Sequence, residues 1–147
     1  MAQTISLINM KGGVGKSTLT VNLAWHFSAY SHWGKKLLVV DLDPQFNASQ
    51  YLVGIYQYMN FINDGKPTIW EIFEQHARTP GKTQKIIPNE SIRSVARFRD
   101  GGKIDLIPSR LEFSFSLRNP GQKEYLLQKT LSKIKNEYDL ILIDCAP

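Results

Sequence analysis

Four short segments of this chain are rich in apolar residues: 4–10, apolar on alternate positions and then nearly continuous, 36–42, 103–108 with Ile104, Leu106 and Ile107, and 139–145. Two of them centre on Leu37-Leu38-Val39-Val40 and Leu140-Ile141-Leu142-Ile143. Such runs, without polar alternation, predict strands covered on both faces, as in a parallel sheet. Between them the period changes. Over 17–31, Leu19, Leu23, Phe27 and Tyr30 recur at spacings of four and three, which predicts a helix with that stripe turned inward. Gly34 is placed to end this unit. Over 121–137, Leu126, Leu127, Thr130, Leu131 and Ile134 form a second stripe, with Pro120 and Gly121 just ahead of it. A shorter helix is predicted over 68–77, with Ile69, Ile72 and Phe73 inward. Residues 46–60 read as partly helical, with Gly54 against continuity. Residues 79–102 hold Pro80, Gly81, Pro88, Gly101 and Gly102 and read as loops around one short element at 90–98. Strands alternating with helices predict an α/β fold, a doubly wound and mainly parallel sheet with helices on both faces.

Composition narrows the class without changing the fold. The 147 residues suit one domain, and 42% hydrophobic content is ordinary for a globular chain. No apolar run approaches the ~20 residues of a membrane span. The start enters a strand at once, without a basic and then apolar leader. The single cysteine, Cys145, excludes an internal disulfide and reads as a small core residue. A cytoplasmic location follows as the expectation. His26, His32 and His76 have no ligand spacing. Tyr51, Tyr56, Tyr58 and Phe61 read as packing residues, with a partner surface as the alternative. The net charge of +5 lies wholly in 78–118, which carries nine basic residues against four acidic ones. That block is either a solvated face or an attraction for nucleic acid or anionic lipid.

The candidate chemistry begins where the first strand ends. Residues 10–18 read Met-Lys-Gly-Gly-Val-Gly-Lys-Ser-Thr, between a strand and a helix. That order builds a phosphate cradle, with backbone N–H groups turned inward and the positive end of a helix dipole behind them. Gly12, Gly13, Val14, Gly15 and Thr18 supply the backbone. Lys16 reaches the terminal phosphates, and the Ser17 hydroxyl suits Mg²⁺. The general pattern wants glycine five residues before Gly15, where this chain has Met10, and it adds a second lysine, Lys11. One set of phosphates does not explain that surplus.

Carboxylates close two other strands. Asp41-Leu42-Asp43-Pro44-Gln45 ends the second, and Asp144 ends the fourth after four apolar residues. In a parallel sheet these strand ends share an edge with the loop after the first strand, so loop and aspartates converge. Alternation puts Asp41 and Asp43 on one side, with Leu42 opposite. Turn capping around Pro44 is the competing explanation for that pair.

Lys11 to Thr18, the stretch from Asp41 to Ala48, Ile107-Pro108-Ser109 and the stretch from Tyr138 to Asp144 together resemble the ParA/MinD family of deviant Walker-A ATPases. The likeness runs in order across essentially the whole chain, and the Asp-x-Asp-Pro-Gln-x-Asn segment is closer to the ParA and Soj branch. Phe46 stands where the family often has glycine. The resemblance implies a P-loop ATPase domain that binds MgATP and forms a nucleotide-sandwich homodimer. Lys16 would hold phosphates in its own subunit, and Lys11 would reach the partner's nucleotide. Ser17, Asp41 and Asp144 would serve the metal, and Asp43 would position the attacking water. Hydrolysis would release the dimer, and a ParB-like activator and non-specific DNA would be partners, with nucleoid association. A MinD-like membrane-positioning ATPase and a nucleotide-binding module without turnover are the alternatives. Dethiobiotin synthetase-like relatives share the loop, but the Asp-Pro-Gln segment argues against them. Family members run considerably further than Pro147, so 1–147 is expected to be the N-terminal part of one P-loop ATPase domain. The adenine contacts and the DNA- or membrane-binding elements would then lie beyond it. If the family's strand order holds, the phosphate-loop strand lies at the edge of these four.

Overall fold

The structure, a computed structural model, describes residues 2–30, 33–75, 87–118 and 124–147. Strands β1 (Gln3–Leu7), β2 (Lys36–Leu42), β3 (Arg93–Arg97), β4 (Lys103–Ile107) and β5 (Leu140–Cys145) form one sheet in the order β1-β5-β2-β4-β3. β1, β5, β2 and β4 run parallel, and β3 is antiparallel to β4. β2, β4 and β5 are thus the parallel core; β1, the glycine-loop strand, lies at one edge, exposed from Gln3 to Ser6 and half-buried at Leu7, so the cover on both faces expected of it is corrected. The fifth strand lies inside 90–98, where the sequence predicts only a short element. Its register slips between Ser94 and Ala96, and its mixed polar composition carries no strand signature. β1 also stops at Leu7 rather than Met10. Ile8 and Met10 are 73% and 94% exposed and belong to the loop that follows.

The helices are α1 (Lys16–Ala29), α2 (Asn47–Asn63), α3 (Ile69–Glu74), α4 (Phe113–Arg118) and α5 (Glu124–Ile134). One core layer gathers Leu37, Val39, Ile104, Leu106 and Leu142 with residues of α1 and α2. The other gathers Leu38, Val40, Ile107, Ile141 and Ile143 with residues of α3, α4 and α5. Successive residues of β2 feed opposite layers, which is why its sequence is apolar throughout. Burying each such side chain contributes about 1.5–3 kcal/mol. The α5 stripe is buried as predicted, at Leu126, Leu127, Thr130, Leu131 and Ile134. In α3, Ile69 and Ile72 are buried and Phe73 packs against the same layer. Its start is fixed by a capping box, in which Trp70 N–H donates to Thr68 Oγ1 and Thr68 N–H donates to Glu71 Oε2. Residues 76–86 and 119–123, and with them Arg78, Lys82, Lys85, Pro120 and Gly121, lie outside the described residues.

The stripe expected for α1 is corrected. Leu19 and Tyr30 are 52% and 60% exposed, Leu23 and Phe27 are half-buried, and the residues against the sheet are Thr20, Ala24 and Ser28. Close approach selects small side chains here. Ser28 Oγ donates to the Lys103 carbonyl at 3.1 Å, and a Cβ on Gly102 would run into the Ser28 carbonyl. Hydrophobic spacing finds the wide apolar face of a helix and misses a face chosen for proximity. The segment read as partly helical forms α2, which is interrupted at one residue. Gly54 adopts φ 76 and ψ 162, outside helical geometry, and the helical hydrogen bonding resumes as far as Asn63. Of the basic block, Arg93 pairs with Asp64, Arg97 and Lys103 with Asp105, and Arg110 with Glu71 and Glu112. Those four cations are structural partners of carboxylates.

Candidate functional site

The parallel register brings Leu7, Asp144 and Asp41 level across β1, β5 and β2. The loop leaving β1 therefore starts at the sheet edge where both carboxylates stand. Gly13 and Gly15 have φ of 73 and 87, which glycine adopts without the penalty of a Cβ. An added Cβ would meet nothing within 4 Å at either position, so conformation rather than crowding requires these glycines. Asn9 holds the loop at two points. Its Oδ1 accepts from the Lys11 N–H at 2.8 Å, and its carbonyl accepts from Lys16 Nζ at 3.4 Å. Gly15 caps α1 with no side-chain hydrogen bond, and the first turn holds no acidic residue. The opening N–H groups of a 14-residue helix thus face the loop without a side-chain acceptor, the arrangement that receives an anion.

A cleft of about 420 Å³ lies against this loop, walled by Gly12 through Thr18, Asp43, Gln45, Asn47 and Tyr51. Below it, Ser17 Oγ donates to Asp144 Oδ2 at 2.6 Å, and Thr20 Oγ1 lies 3.4 Å from Oδ1. Burial, and then the charge of Asp43, push the Asp144 carboxyl up, while the Ser17 hydrogen bond opposes them. Asp43 accepts the Gln45 N–H at 2.9 Å, closing an Asx turn over Pro44. Asp41 is fully buried, and its oxygens are already committed. Oδ1 accepts the Asp43 N–H at 3.0 Å, and Oδ2 accepts the Ser49 N–H at 2.9 Å and Ser49 Oγ at 2.6 Å. Burial raises its pKa to about 7 against the pull of these hydrogen bonds.

The structure therefore gathers Gly12, Gly13, Val14, Gly15, Lys16, Ser17, Thr18 and Asp43 around one cleft, with Asp144 reached through Ser17. Asp41 is level with Asp144 but serves the turn carrying Asp43. Lys11 is exposed beside the cleft and does not line it. Tyr58 and Phe61 are buried packing residues, whereas Tyr51 stands on the cleft wall. His26 lies against the rings of Phe27 and Tyr30. Burial raises the pKa of the half-buried Cys145 thiol. Sequence reasoning assigned no role to Asn9 or Ser49. Asn9 lies in the loop just past β1 without a recognisable spacing, and Ser49 lies inside a helix, where serine is unremarkable. Among the described residues no group of three or more His, Cys, Asp or Glu could hold a metal by itself. Ser17 Oγ and the Asp144 carboxylate beside the cleft are hard oxygen donors of the kind that suit Mg²⁺, which is held by one or two protein oxygens together with phosphate and water.

A mainly parallel sheet, a strand-loop-helix anion cradle and carboxylates at the adjoining strand ends define a P-loop nucleotide-binding domain. The family model described as an AAA domain matches residues 2–147, and the chain belongs to that family, in its ParA/MinD-like group. It is 32% identical over 150 residues to the chromosome-partitioning ATPase Soj of Treponema pallidum, covering all of this chain and 49% of that protein. It resembles a plasmid partition protein from Borrelia burgdorferi with a TM-score of 0.73 at 30% identity, covering 99% of this chain and 56% of that one. The pNOB8 ParA bound to nonspecific DNA gives 0.73 at 26% identity, covering 100% and 47%. Cobyrinic acid a,c-diamide synthase from Mycobacterium smegmatis, with bound ATP analog and magnesium, gives 0.66 at 25% identity, covering 99% and 51%. The chain spans about half the length of these relatives.

Proposed function

We propose that the protein binds MgATP and hydrolyses it as a dimerisation-dependent switch of the ParA type, acting in DNA partitioning or intracellular positioning. One observation carries the reading: the α1 N-terminus, without a side-chain cap behind a loop of positive-φ glycines, faces Asp43 across a cleft and rests on Asp144 through Ser17. The likeness to Soj, to the DNA-bound ParA and to the synthase bound to an ATP analog and magnesium supports it. The loop amides and Lys16 hold the phosphates of their own subunit. Ser17 and Asp144 are the oxygens suited to Mg²⁺, with Asp41 behind them as a buried support; the ion would neutralise phosphate charge. Asp43, fixed by its turn, orients the attacking water. Lys11 stands free of the cleft and so is available to a partner's nucleotide, supplying positive charge where it develops in phosphoryl transfer. A homodimer, a ParB-like activator and non-specific DNA are the partners this reading carries, with a place in the cytoplasm at the nucleoid. Among the described residues no helix is long and apolar enough to cross a membrane.

The test is phosphate release and ATP-dependent dimerisation, with and without non-specific DNA, for wild type, Asp43→Ala and Lys11→Ala. Asp43→Ala is expected to keep nucleotide affinity and dimerisation while turnover falls by about 10² or more. Lys11→Ala should bind nucleotide and fail to dimerise. Turnover retained in the first variant, or an unchanged dimer in the second, overturns the assigned role.

A further inference from the structure

The Ile107-Pro108-Ser109 segment and the interior of α2 take no part in the mechanism above, yet both join the acidic turn through buried hydrogen bonds. Ser49 is fully buried in the first half of α2, before the Gly54 bend. Its Oγ donates to Asp41 Oδ2 at 2.6 Å and accepts the Ser109 N–H at 3.2 Å. The other oxygen of Asp41 accepts the Asp43 N–H. Tyr58, on the far side of the bend, donates its hydroxyl to the Ser109 carbonyl at 3.0 Å. Its ring stacks on Phe46 at 4.8 Å and 10°. Phe46 in turn follows Asp43 by three residues, and its N–H donates to the Asp43 carbonyl at 2.8 Å. The contacts close a ring that starts and ends at the turn of Asp43.

Phe46 adopts φ 49, the left-handed region, and no other described non-glycine residue has a positive φ. A bulky residue there costs about 1–2 kcal/mol relative to glycine. The Tyr58 stack holds it in place. The exit of β4 thereby reaches Asp41 through the Ser49 hydroxyl, and the start of α2 through that hydroxyl and through the Ser49 N–H, which donates to the same oxygen at 2.9 Å.

We propose that Ser49 is a positioning residue for Asp43. It ties Asp41, and through it the Asp43 backbone, to the exit of β4 at Ser109. The inference rests on the proposed role of Asp43 in orienting water. It assigns Ser49 no contact with substrate. Thr at this position keeps the hydroxyl and can keep both bonds; Ala loses both and leaves the Ser109 N–H buried without its acceptor.

Ser49→Ala and Ser49→Thr are compared with wild type in the whole protein by steady-state ATP turnover, by affinity for a fluorescent ATP analogue and by thermal melting. Amide hydrogen exchange at Asp43 and Gln45 is read alongside. The expected result is a tenfold or greater fall in kcat for Ser49→Ala, with analogue affinity within twofold, faster exchange at both amides, and recovery by Ser49→Thr to within about threefold of wild type. Unchanged kcat and exchange in Ser49→Ala overturn the proposal. So does a fall in kcat matched by an equal fall in affinity, or one that Thr does not rescue. Exchange reads the turn whether or not ATP is cleaved. If wild type releases no phosphate, the ATPase reading fails, and faster or unchanged exchange in Ser49→Ala then upholds or overturns the positioning role by itself.

Discussion

The glycine loop and the acidic turn lie on the same sheet edge and are built in opposite ways. From Met10 to Gly15 the loop is exposed, with Asn9 as the residue pinning it at two points. The helix behind it begins without a side-chain cap. On the same sheet edge Asp41 is fully buried, both its oxygens are taken, and the turn it supports accepts further bonds from Gln45 and Phe46. Unsatisfied donors are tolerable in the loop because water replaces the ligand when it leaves. A group with the proposed task of orienting a water cannot rely on solvent and is preorganised by its neighbours. The comparison makes a divided forecast: loop substitutions cost binding and spare stability, and substitutions in the turn do the reverse.

Lys16→Ala gives the largest effect. The residue is half-buried, and its side chain reaches the Asn9 carbonyl at 3.4 Å and lies within the field of Asp144. Nucleotide affinity should fall at least 100-fold, about 3 kcal/mol. The melting temperature of the free protein should move by less than about 2 °C, a shift well under 1 kcal/mol. Titration calorimetry and a melt on the same sample check both halves. A large drop in melting temperature would break the contrast from the loop side.

Asp41→Ala is the counterpart. It strips acceptors from the Asp43 N–H, the Ser49 N–H and Ser49 Oγ, all in a buried region. The expected cost is about 2–3 kcal/mol of stability by denaturant unfolding. A pH dependence accompanies it. The folded Asp41 carboxyl has a pKa of about 7, against 3.8 for the free group. The folded state then binds more protons than the unfolded state across that window. The contribution of this group is therefore fully present below about pH 4 and is lost as pH rises to about 7. Asp144, also raised by burial, acts in the same direction. Unfolding measured across this window should show stability falling with pH, and Asp41→Asn should flatten the slope. A rising slope would mean that hydrogen bonding outweighs burial at Asp41.

This division also explains what could be read in advance. The glycine loop was legible because backbone geometry dictates its sequence, and the strand-end aspartates because they follow the apolar runs of β2 and β5. Turns with positive φ demand glycine, and parallel strands buried on both faces demand unbroken apolar runs. The buried face of α1 was not legible. Thr20, Ala24 and Ser28 face the sheet because of the close approach at Gly102, a tertiary fact with no hydrophobic period. Strand β3 was missed as a strand because its edge position leaves it mixed in polarity and irregular in register. Ser49 escaped for a related reason. Its role comes from what β4 brings against α2, and Ser109 lies sixty residues away.

The smallest effect separates two reasons for a glycine within the loop. Gly15 has φ 87, and no atom lies within 4 Å of an added Cβ, so Gly15→Ala meets strain without a clash. Its cost should be about 1 kcal/mol, the penalty of a left-handed alanine. Gly12 has no positive φ, and its Cβ would touch only the Pro147 ring, at 3.9 Å. Gly12→Ala should leave unfolding within about 0.5 kcal/mol of wild type. If its nucleotide affinity still falls, Gly12 is required by the approach of the phosphates and not by the fold. If affinity holds as well, the cradle depends on the conformations of Gly13 and Gly15 alone, and the division between binding and stability runs through the loop itself.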